Sequence, residues 1–352
     1  MRGLVHIGDG HLALRDLPPV SAGATGAVLQ VEGAAVCIGD AETLHGYGPV
    51  MATPLALGHE IVGRVGPVGP DAPETLRRLA GMRVLIDDAR PCGACEWCLR
   101  DQKRFCKSPR YGHVVQDGSA DSWGGYSEAV TLDERSVLIP VPEDLPLELA
   151  TFIIPVGSAV EWLHLAADLR AGERVAILGA SRMGVAVAIV ALHARAAQVV
   201  MYGDPRGVDA IRAVERMGGG IRLPPADPKA EGPYDVVVVV TEAPADYVAA
   251  AMEMAAPLGR VVSACTSTQP SGIEPETIRR KGLTVKGGRG ASARSLEAAV
   301  QVVVAERDRL SAILGEVYSF EQAERVLTGL LSDRVPRGAH VVIASSPRGA
   351  HA

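Results

Sequence analysis

The chain has 352 residues, 47% of them hydrophobic, with 41 acidic against 35 basic side chains and a formal charge of -6. That length provides for roughly two domains whose cores are large enough to fold without disulfides, and the mild acidity, with no Lys/Arg-rich tract, excludes a nucleic-acid partner. No apolar run approaches the roughly 18 residues of a membrane span, and the first residues lack a signal-peptide core, so a cytoplasmic protein without a membrane partner is expected.

Residues 1–150 read as β-rich. Short apolar runs at 27–31, 61–65, 83–87, 126–130 and 136–141 are separated by Gly, Pro and Asp turn signals. Glycines at 58, 63, 66 and 69 and prolines at 67 and 70 suit a twisted barrel, and the proline-rich stretch 140–146 marks a boundary. The pattern then changes. Residues 149–169 read as helix, and strands at 174–178, 198–202, 234–240 and 259–264 alternate with helices at 183–195, 208–217 and 245–256. Apolar strands with helices between them predict βαβ units and a parallel sheet covered on both faces. The five consecutive valines of 236–240 are the clearest buried strand. Helices at 295–305 and 320–331 and a closing strand at 340–344 complete the expected elements.

Six cysteines stand at 37, 92, 95, 98, 106 and 265, four of them within 15 residues. Cys92, Cys95, Cys98 and Cys106 have the spacing C-x2-C-x2-C-x7-C, which lets one loop (about 90–108) close a tetrahedral thiolate shell around zinc with no open position. Unrelated thiols or an iron–sulfur cluster are the alternatives, and the usual cluster spacings differ. Cys37 and Asp40 are followed about 20 residues later by Gly58, His59 and Glu60, types that can ligate zinc, although a lone Cys and a lone His are more often core residues. After strand 174–178, the turn from Gly179 through Ser181, Arg182 and Met183 to Gly184 opens a helix, the context in which backbone N–H groups receive a pyrophosphate. Ser181 replaces the middle glycine of the fingerprint, and a plain βα turn would read the same way. Asp204, after the next strand, is placed to bond ribose hydroxyls.

Together these motifs, with Gly124, Gly125, Tyr126, Ser127 and Glu128 after the cysteine lobe and the segment 318–324, resemble the zinc-dependent alcohol dehydrogenase branch of the medium-chain dehydrogenase/reductase superfamily. The resemblance implies an α/β architecture: a GroES-like β-barrel catalytic domain over 1–150, a doubly wound Rossmann domain over 151–290, and a return to the catalytic domain over 291–352. It implies a catalytic zinc on Cys37 and His59, with Glu60 as ligand or neighbour and Asp40 orienting the His59 ring, and a structural zinc on Cys92, Cys95, Cys98 and Cys106. A small-molecule alcohol or carbonyl substrate, NAD or NADP, and a dimer or tetramer of identical chains follow from the same likeness.

The chain departs from the family pattern in three places. Gly39 stands where members usually carry a Ser or Thr that relays the substrate proton, and Glu42 where many carry His, which leaves Glu42, His45, His113 or water for that task. Segment 153–157, the expected source of a third ligand, offers no ligand side chain, so the site would rest on Cys37, His59, Glu60 and water. At the ribose register Gly203 precedes Asp204: the carboxylate favours NAD, whereas Gly203 with Arg206 nearby would accept NADP. Two rival readings are a zinc-independent NADPH-dependent enoyl or quinone reductase of the same superfamily, and a non-catalytic nucleotide-binding protein. Polar groups such as Glu42, His45, Asp121 and Ser122 suit a hydroxylated substrate, such as a polyol, sugar or biosynthetic intermediate.

Overall fold

The structure is a computed structural model of the chain and describes residues 1–46, 54–106, 110–111, 124–203, 207–222, 230–240, 246–267, 269–331 and 340–345. The chain forms two compact units, leaving the first after Phe152 and returning to it at Leu314.

The first unit opens with β1 (Arg2–Gly8), β2 (His11–Asp16), β3 (Ala27–Ala35), helix α1 (Ile38–Leu44), β4 (Leu55–Ala56), β5 (Glu60–Val68), α2 (Glu74–Arg78) and β6 (Arg83–Ile86). The cysteine lobe follows, with β7 (Ala89–Arg90), α3 (Glu96–Leu99) and β8 (Arg110–Tyr111), and then β9 (Ala129–Leu132), β10 (Leu138–Pro140) and α4 (Leu147–Val160). The second unit carries β11 (Arg174–Leu178), α5 (Arg182–His193), β12 (Gln198–Tyr202), α6 (Val208–Arg216), β13 (Gly220–Arg222), β14 (Tyr234–Val239), α7 (Tyr247–Met254), β15 (Ala255–Ser263), α8 (Pro275–Lys281), β16 (Thr284–Gly287), α9 (Ala293–Ala305) and α10 (Arg307–Leu310). β17 (Leu314–Ser319), α11 (Ala323–Leu331) and β18 (His340–Ala344) belong again to the first.

In the first unit the expected β-rich domain is a mixed sheet in the order β10-β6-β5-β3-β18-β17, with β9 also on β3, beside a smaller sheet β2-β1-β4. β3 and β5 pair antiparallel, setting Ala35 opposite Glu60, and Val342 of β18 lies opposite Ala35 on the other side. Both ends of β3 are buried, as are residues 60–63 at the start of β5. The segments that leave these strands, α1 after β3 and the Gly58–His59 turn before β5, therefore start from one rigid edge.

The second unit is a six-stranded parallel sheet in the order β13-β12-β11-β14-β15-β16. Its first strand, β11, lies in the middle and the order reverses between β11 and β14, which is the doubly wound Rossmann arrangement with its ligand crevice at the carboxyl ends of those two strands. Val236, Val237, Val238 and Val239 are fully buried, as a strand covered on both faces requires. Cys265 is partly buried against this core.

The return to the first unit comes at Leu314 rather than at 291. The physical reason is the start of α9: Glu161 accepts hydrogen bonds from the Ser292 N–H at 3.1 Å and the Ser292 hydroxyl at 2.6 Å, which fastens α9 within the second unit. The helical stretch 149–169 is α4 continued by a π-helical segment, Glu161–Ala166. Leu147–Ala166 is long and apolar enough to cross a membrane, and 78% of its apolar window is buried inside the protein, as in a core helix.

Candidate active site

Cys37 caps the N-terminus of α1, and Asp40 lies three residues on, inside the first turn. Asp40 is 1% exposed and gathers donors from three segments. Its Oδ1 accepts from the Gly58 N–H at 3.2 Å and from His59 Nδ1 at 3.1 Å. Its Oδ2 accepts from the Tyr126 hydroxyl at 3.0 Å and from the Cys37 N–H at 3.4 Å. With Nδ1 engaged on Asp40, the opposite ring nitrogen of His59 is the one left to bind a metal, the arrangement in which a carboxylate fixes the tautomer and orientation of a ligating imidazole. Gly58 makes the approach possible: its φ is +87°, and a Cβ there would stand 2.7 Å from the Tyr126 ring.

Ligand atoms of Cys37, His59 and Glu60 all lie within 4.8 Å of one another. Zn–S and Zn–N bonds of about 2.3 and 2.0 Å at a tetrahedral angle put S and N about 3.5 Å apart, so the cluster is of a size that fits zinc. Burial disfavours a charged His59 ring, but Asp40 and Cys37 beside it outweigh that and hold its pKa well above the ordinary imidazole value. A cation at this position replaces the proton that the donor set already attracts. Tyr126 is fully buried, and burial together with the Asp40 charge pushes its hydroxyl well above the usual phenol range, so it remains a neutral donor.

A second polar layer lies after β6. Asp87 is buried against Lys103 Nζ, and Arg104 reaches Asp87 at 3.1 Å and Asp88 at 2.5 Å. Burial raises the Asp87 carboxyl; burial also opposes ionisation of Asp88, but the charge and hydrogen bond of Arg104, with smaller contributions from His59 and Asp87, together hold that carboxyl low. Asp88 is also close enough to His59 to feel its charge. Because Arg104 precedes the ligand-type Cys106 by two residues, the pair ties the cysteine lobe to the strand end beside His59.

In the lobe, Cys92, Cys95, Cys98 and Cys106 place their sulfurs within 4.8 Å of one another. Two of the separations are 3.9 Å (Cys92–Cys98) and 3.5 Å (Cys95–Cys98). Four Zn–S bonds of about 2.3 Å give tetrahedral edges of about 3.8 Å, so the thiols are spaced for zinc and too far apart for disulfides. N–H groups from Ala94 and Cys95 lower the Cys92 thiol, while burial and the neighbouring thiols push Cys98 up to about 12. Four sulfurs at this spacing could be deprotonated together only with a cation among them.

In the second unit Gly179 follows β11 at φ +120° and Ser181 caps α5, its hydroxyl accepting from the Gly184 N–H at 3.4 Å. A Cβ on Gly184 would stand 2.5 Å from the Gly179 carbonyl oxygen, so α5 can begin this close to β11 only with glycine there. The first turn of α5 is thus a helix N-terminus at the carboxyl end of the central strand, which fits a dinucleotide pyrophosphate. Arg182 is buried and Met183 half-buried at that end. Gly203 is fixed by the same turn: a Cβ there would lie 2.0 Å from the Ala180 Cβ, so any larger residue at this position would have to displace Ala180. Asp204, Arg206, His113, Asp121 and Ser122 lie outside the described residues.

Residues 23–143 match the alcohol dehydrogenase GroES-like domain. Over 353 aligned residues, 95% of each chain, the sequence is 31% identical to "Probable alcohol dehydrogenase adh" of Mycobacterium tuberculosis strain H37Rv. The chain belongs to the zinc-type medium-chain alcohol dehydrogenase family. Its fold is shared with galactitol-1-phosphate dehydrogenase from Escherichia coli at a TM-score of 0.83 and 20% identity, over 98% of this chain and 100% of that one. It is shared likewise with an NAD-dependent alcohol dehydrogenase at a TM-score of 0.81 and 24% identity, over 98% and 100%.

For this family member the structure brings together Cys37, Asp40, His59 and Glu60 of the sequence-derived set, and the four lobe cysteines as a separate group. It places His45 elsewhere: His45 Nε2 is 3.3 Å from the Thr328 hydroxyl on α11, and its ring packs beside Gly10. Glu42 is half-buried on α1. Segment 153–157 is helical, within α4. Sequence reasoning missed the Tyr126 donor and the Asp87–Asp88–Lys103–Arg104 group. A signal for the latter was available, since two adjacent aspartates end an apolar strand and two adjacent cations precede Cys106.

Proposed function

We propose that the chain is an NAD(P)-dependent alcohol dehydrogenase that interconverts a small alcohol and its carbonyl compound, with Cys37, His59 and Glu60 holding the zinc that faces substrate. The convergence of those three ligand atoms within 4.8 Å, with Asp40 bonded behind His59, carries the reading. A zinc at this position supplies Lewis acidity that favours ionisation of an alcohol, and the nicotinamide supplies the hydride acceptor. The protein's own part is positional. Asp40 holds the His59 ring through Nδ1, Tyr126 and Gly58 hold Asp40, and Glu60 at the first position of β5 brings a carboxylate with the strand. On the nucleotide side the N–H groups at the start of α5 and the close packing at Gly184 receive a pyrophosphate. Cys92, Cys95, Cys98 and Cys106 hold a second zinc whose role is to fold the lobe.

The test is turnover of a panel of primary alcohols, secondary alcohols and polyols with NAD and with NADP, alongside zinc quantification. Two zinc per chain and activity abolished by Cys37→Ser or His59→Ala, with the fold retained, is the expected result. One zinc per chain with reduction of activated double bonds would establish the reductase reading instead.

A further inference from the structure

Asp87, Asp88, Lys103 and Arg104 belong to neither ligand group, yet the side chains of Asp87 and Lys103 are only 0% and 4% exposed. Their placement joins the two groups. Lys103 and Arg104 lie in a one-turn 3-10 helix, Lys103–Phe105, whose C-terminal cap is Cys106, and the Cys106 N–H donates to the Lys103 carbonyl at 3.0 Å. Asp87 and Asp88 continue the chain of β6 beyond Ile86, which stands opposite Ile61 in the antiparallel pairing with β5. That register runs the two aspartates toward Glu60 and His59, the residues just before Ile61. Asp87 is fixed there by its own N–H, which donates to the Val137 carbonyl at 3.0 Å, and by Oδ1, which accepts from the Ala89 N–H at 3.0 Å. Arg104 spans both carboxylates at 3.1 and 2.5 Å, and Lys103 Nζ closes on Asp87 Oδ2.

We propose that Lys103 and Arg104 are positioning residues through which the closed cysteine lobe holds the end of β6 against Glu60 and His59, so that zinc in the lobe tightens zinc binding at Cys37, His59 and Glu60. The inference rests on the two-zinc reading above. The cations reach the aspartates only while the lobe is closed, and its four cysteines close as thiolates only around a cation. Emptying the lobe frees the turn before Cys106, and Asp87 and Asp88 lose both partners. Breaking a buried ion pair by withdrawing one member is far costlier than replacing the whole pair, because a charge is left uncompensated. Two adjacent carboxylates with little access to water regain solvation only by leaving the packed end of β6. That movement opens the pairing beside Ile61 and loosens the start of β5, where Glu60 is held. Carboxylates that stayed in place would instead add negative charge near His59 and tighten a bound cation. The complete burial of the Asp87 side chain decides for movement.

The experiment measures zinc affinity at the Cys37–His59–Glu60 position by chelator competition. It compares wild type, Cys95→Ser, and the double variant Lys103→Met/Arg104→Met, which keeps every cysteine. Both variants should bind zinc there about tenfold more weakly than wild type, the size of loss met when a group that supports a metal ligand is removed. The methionine variant should still take two zinc per chain in zinc excess. Adding Asp87→Asn and Asp88→Asn to it removes the stranded charges and should return the affinity to the wild-type value. In that neutral background Cys95→Ser should no longer weaken the site. This last comparison needs only the wild-type and neutral backgrounds, so it decides the matter even if the methionine variant does not fold. Unchanged or tighter zinc binding in the methionine variant, no recovery in the neutral background, or a Cys95→Ser effect that persists there would overturn the inference and leave the dehydrogenase reading in place. Wild-type protein that binds no zinc at Cys37 and His59 would overturn both.

Discussion

Replacing Asp40 by alanine removes one buried carboxylate on which four donors converge: the Cys37 and Gly58 N–H groups, His59 Nδ1 and the Tyr126 hydroxyl. The Gly58 N–H and the Tyr126 hydroxyl are buried and would lose the acceptor they have here. A buried donor left unsatisfied costs about 1–3 kcal/mol, so Asp40→Ala should destabilise the first unit by about 2–6 kcal/mol. Asp40→Asn is the sharper variant. Its single carbonyl oxygen can serve only one of the two donor pairs, and its NH2 group then faces the other, most economically the longer Cys37 contact of 3.4 Å together with a Tyr126 hydroxyl that can rotate to accept. The expected loss is about 1–3 kcal/mol in denaturant midpoints. Affinity for the zinc at Cys37 and His59 should fall about 10- to 100-fold, because the ring loses its anionic orienting partner. Chelator competition on zinc-loaded protein resolves this site from the cysteine lobe, which should be unaffected. Asp40→Asn with wild-type zinc affinity and an unchanged midpoint would refute the argument that Asp40 is what holds His59 in place.

Three further predictions follow from the same geometry. Cys95→Ser should leave one zinc per chain and lower the melting temperature by on the order of 10 °C, read by metal analysis and thermal melts, with retention of both ions counting against the four-cysteine site. In metal-free protein the raised His59 pKa contributes stability that is complete below about pH 6.5 and is lost as pH rises through the folded value, whereas zinc displaces that proton. The gap in melting temperature between zinc-loaded and metal-free protein should therefore widen from pH 6 upward, and a constant gap would count against proton competition at this site. Gly203→Ala should cost about 1–3 kcal/mol and weaken nucleotide binding through its 2.0 Å approach to the Ala180 Cβ. Isothermal titration with NAD and NADP should show recovery in the Gly203→Ala, Ala180→Gly double variant, and a single variant that binds like wild type would remove the steric explanation.

Much of this was legible in the sequence because local pattern and local structure coincide. The valine run 236–240, the strands Arg174–Leu178, Gln198–Tyr202 and His340–Ala344, and the four-cysteine spacing all state their structure within a few residues, since burial on both faces and metal ligation each demand a particular residue type at every position. The hairpin of β1 and β2 and the edge strand β16 were not legible. Their residues are largely exposed or weakly patterned, and pairing partners elsewhere decide that they are strands. The return to the first unit at Leu314 is not legible for a related reason: the Glu161–Ser292 contact joins residues 131 apart in sequence.

The candidate site divides along the same line. The amino-acid sequence by itself determined which side chains could carry the chemistry, because Cys, His and Glu near one another and four closely spaced thiols have few other uses. Only the tertiary structure decided that Tyr126, 86 residues from Asp40, completes the hydrogen bonds behind His59, and that Arg104 ties the lobe to Asp88. It also decided that Gly203 is glycine because Ala180 lies against it. A sequence reports residue type and spacing along the chain. Whether a missing side chain relieves a clash or leaves a space depends on atoms that only folding brings together.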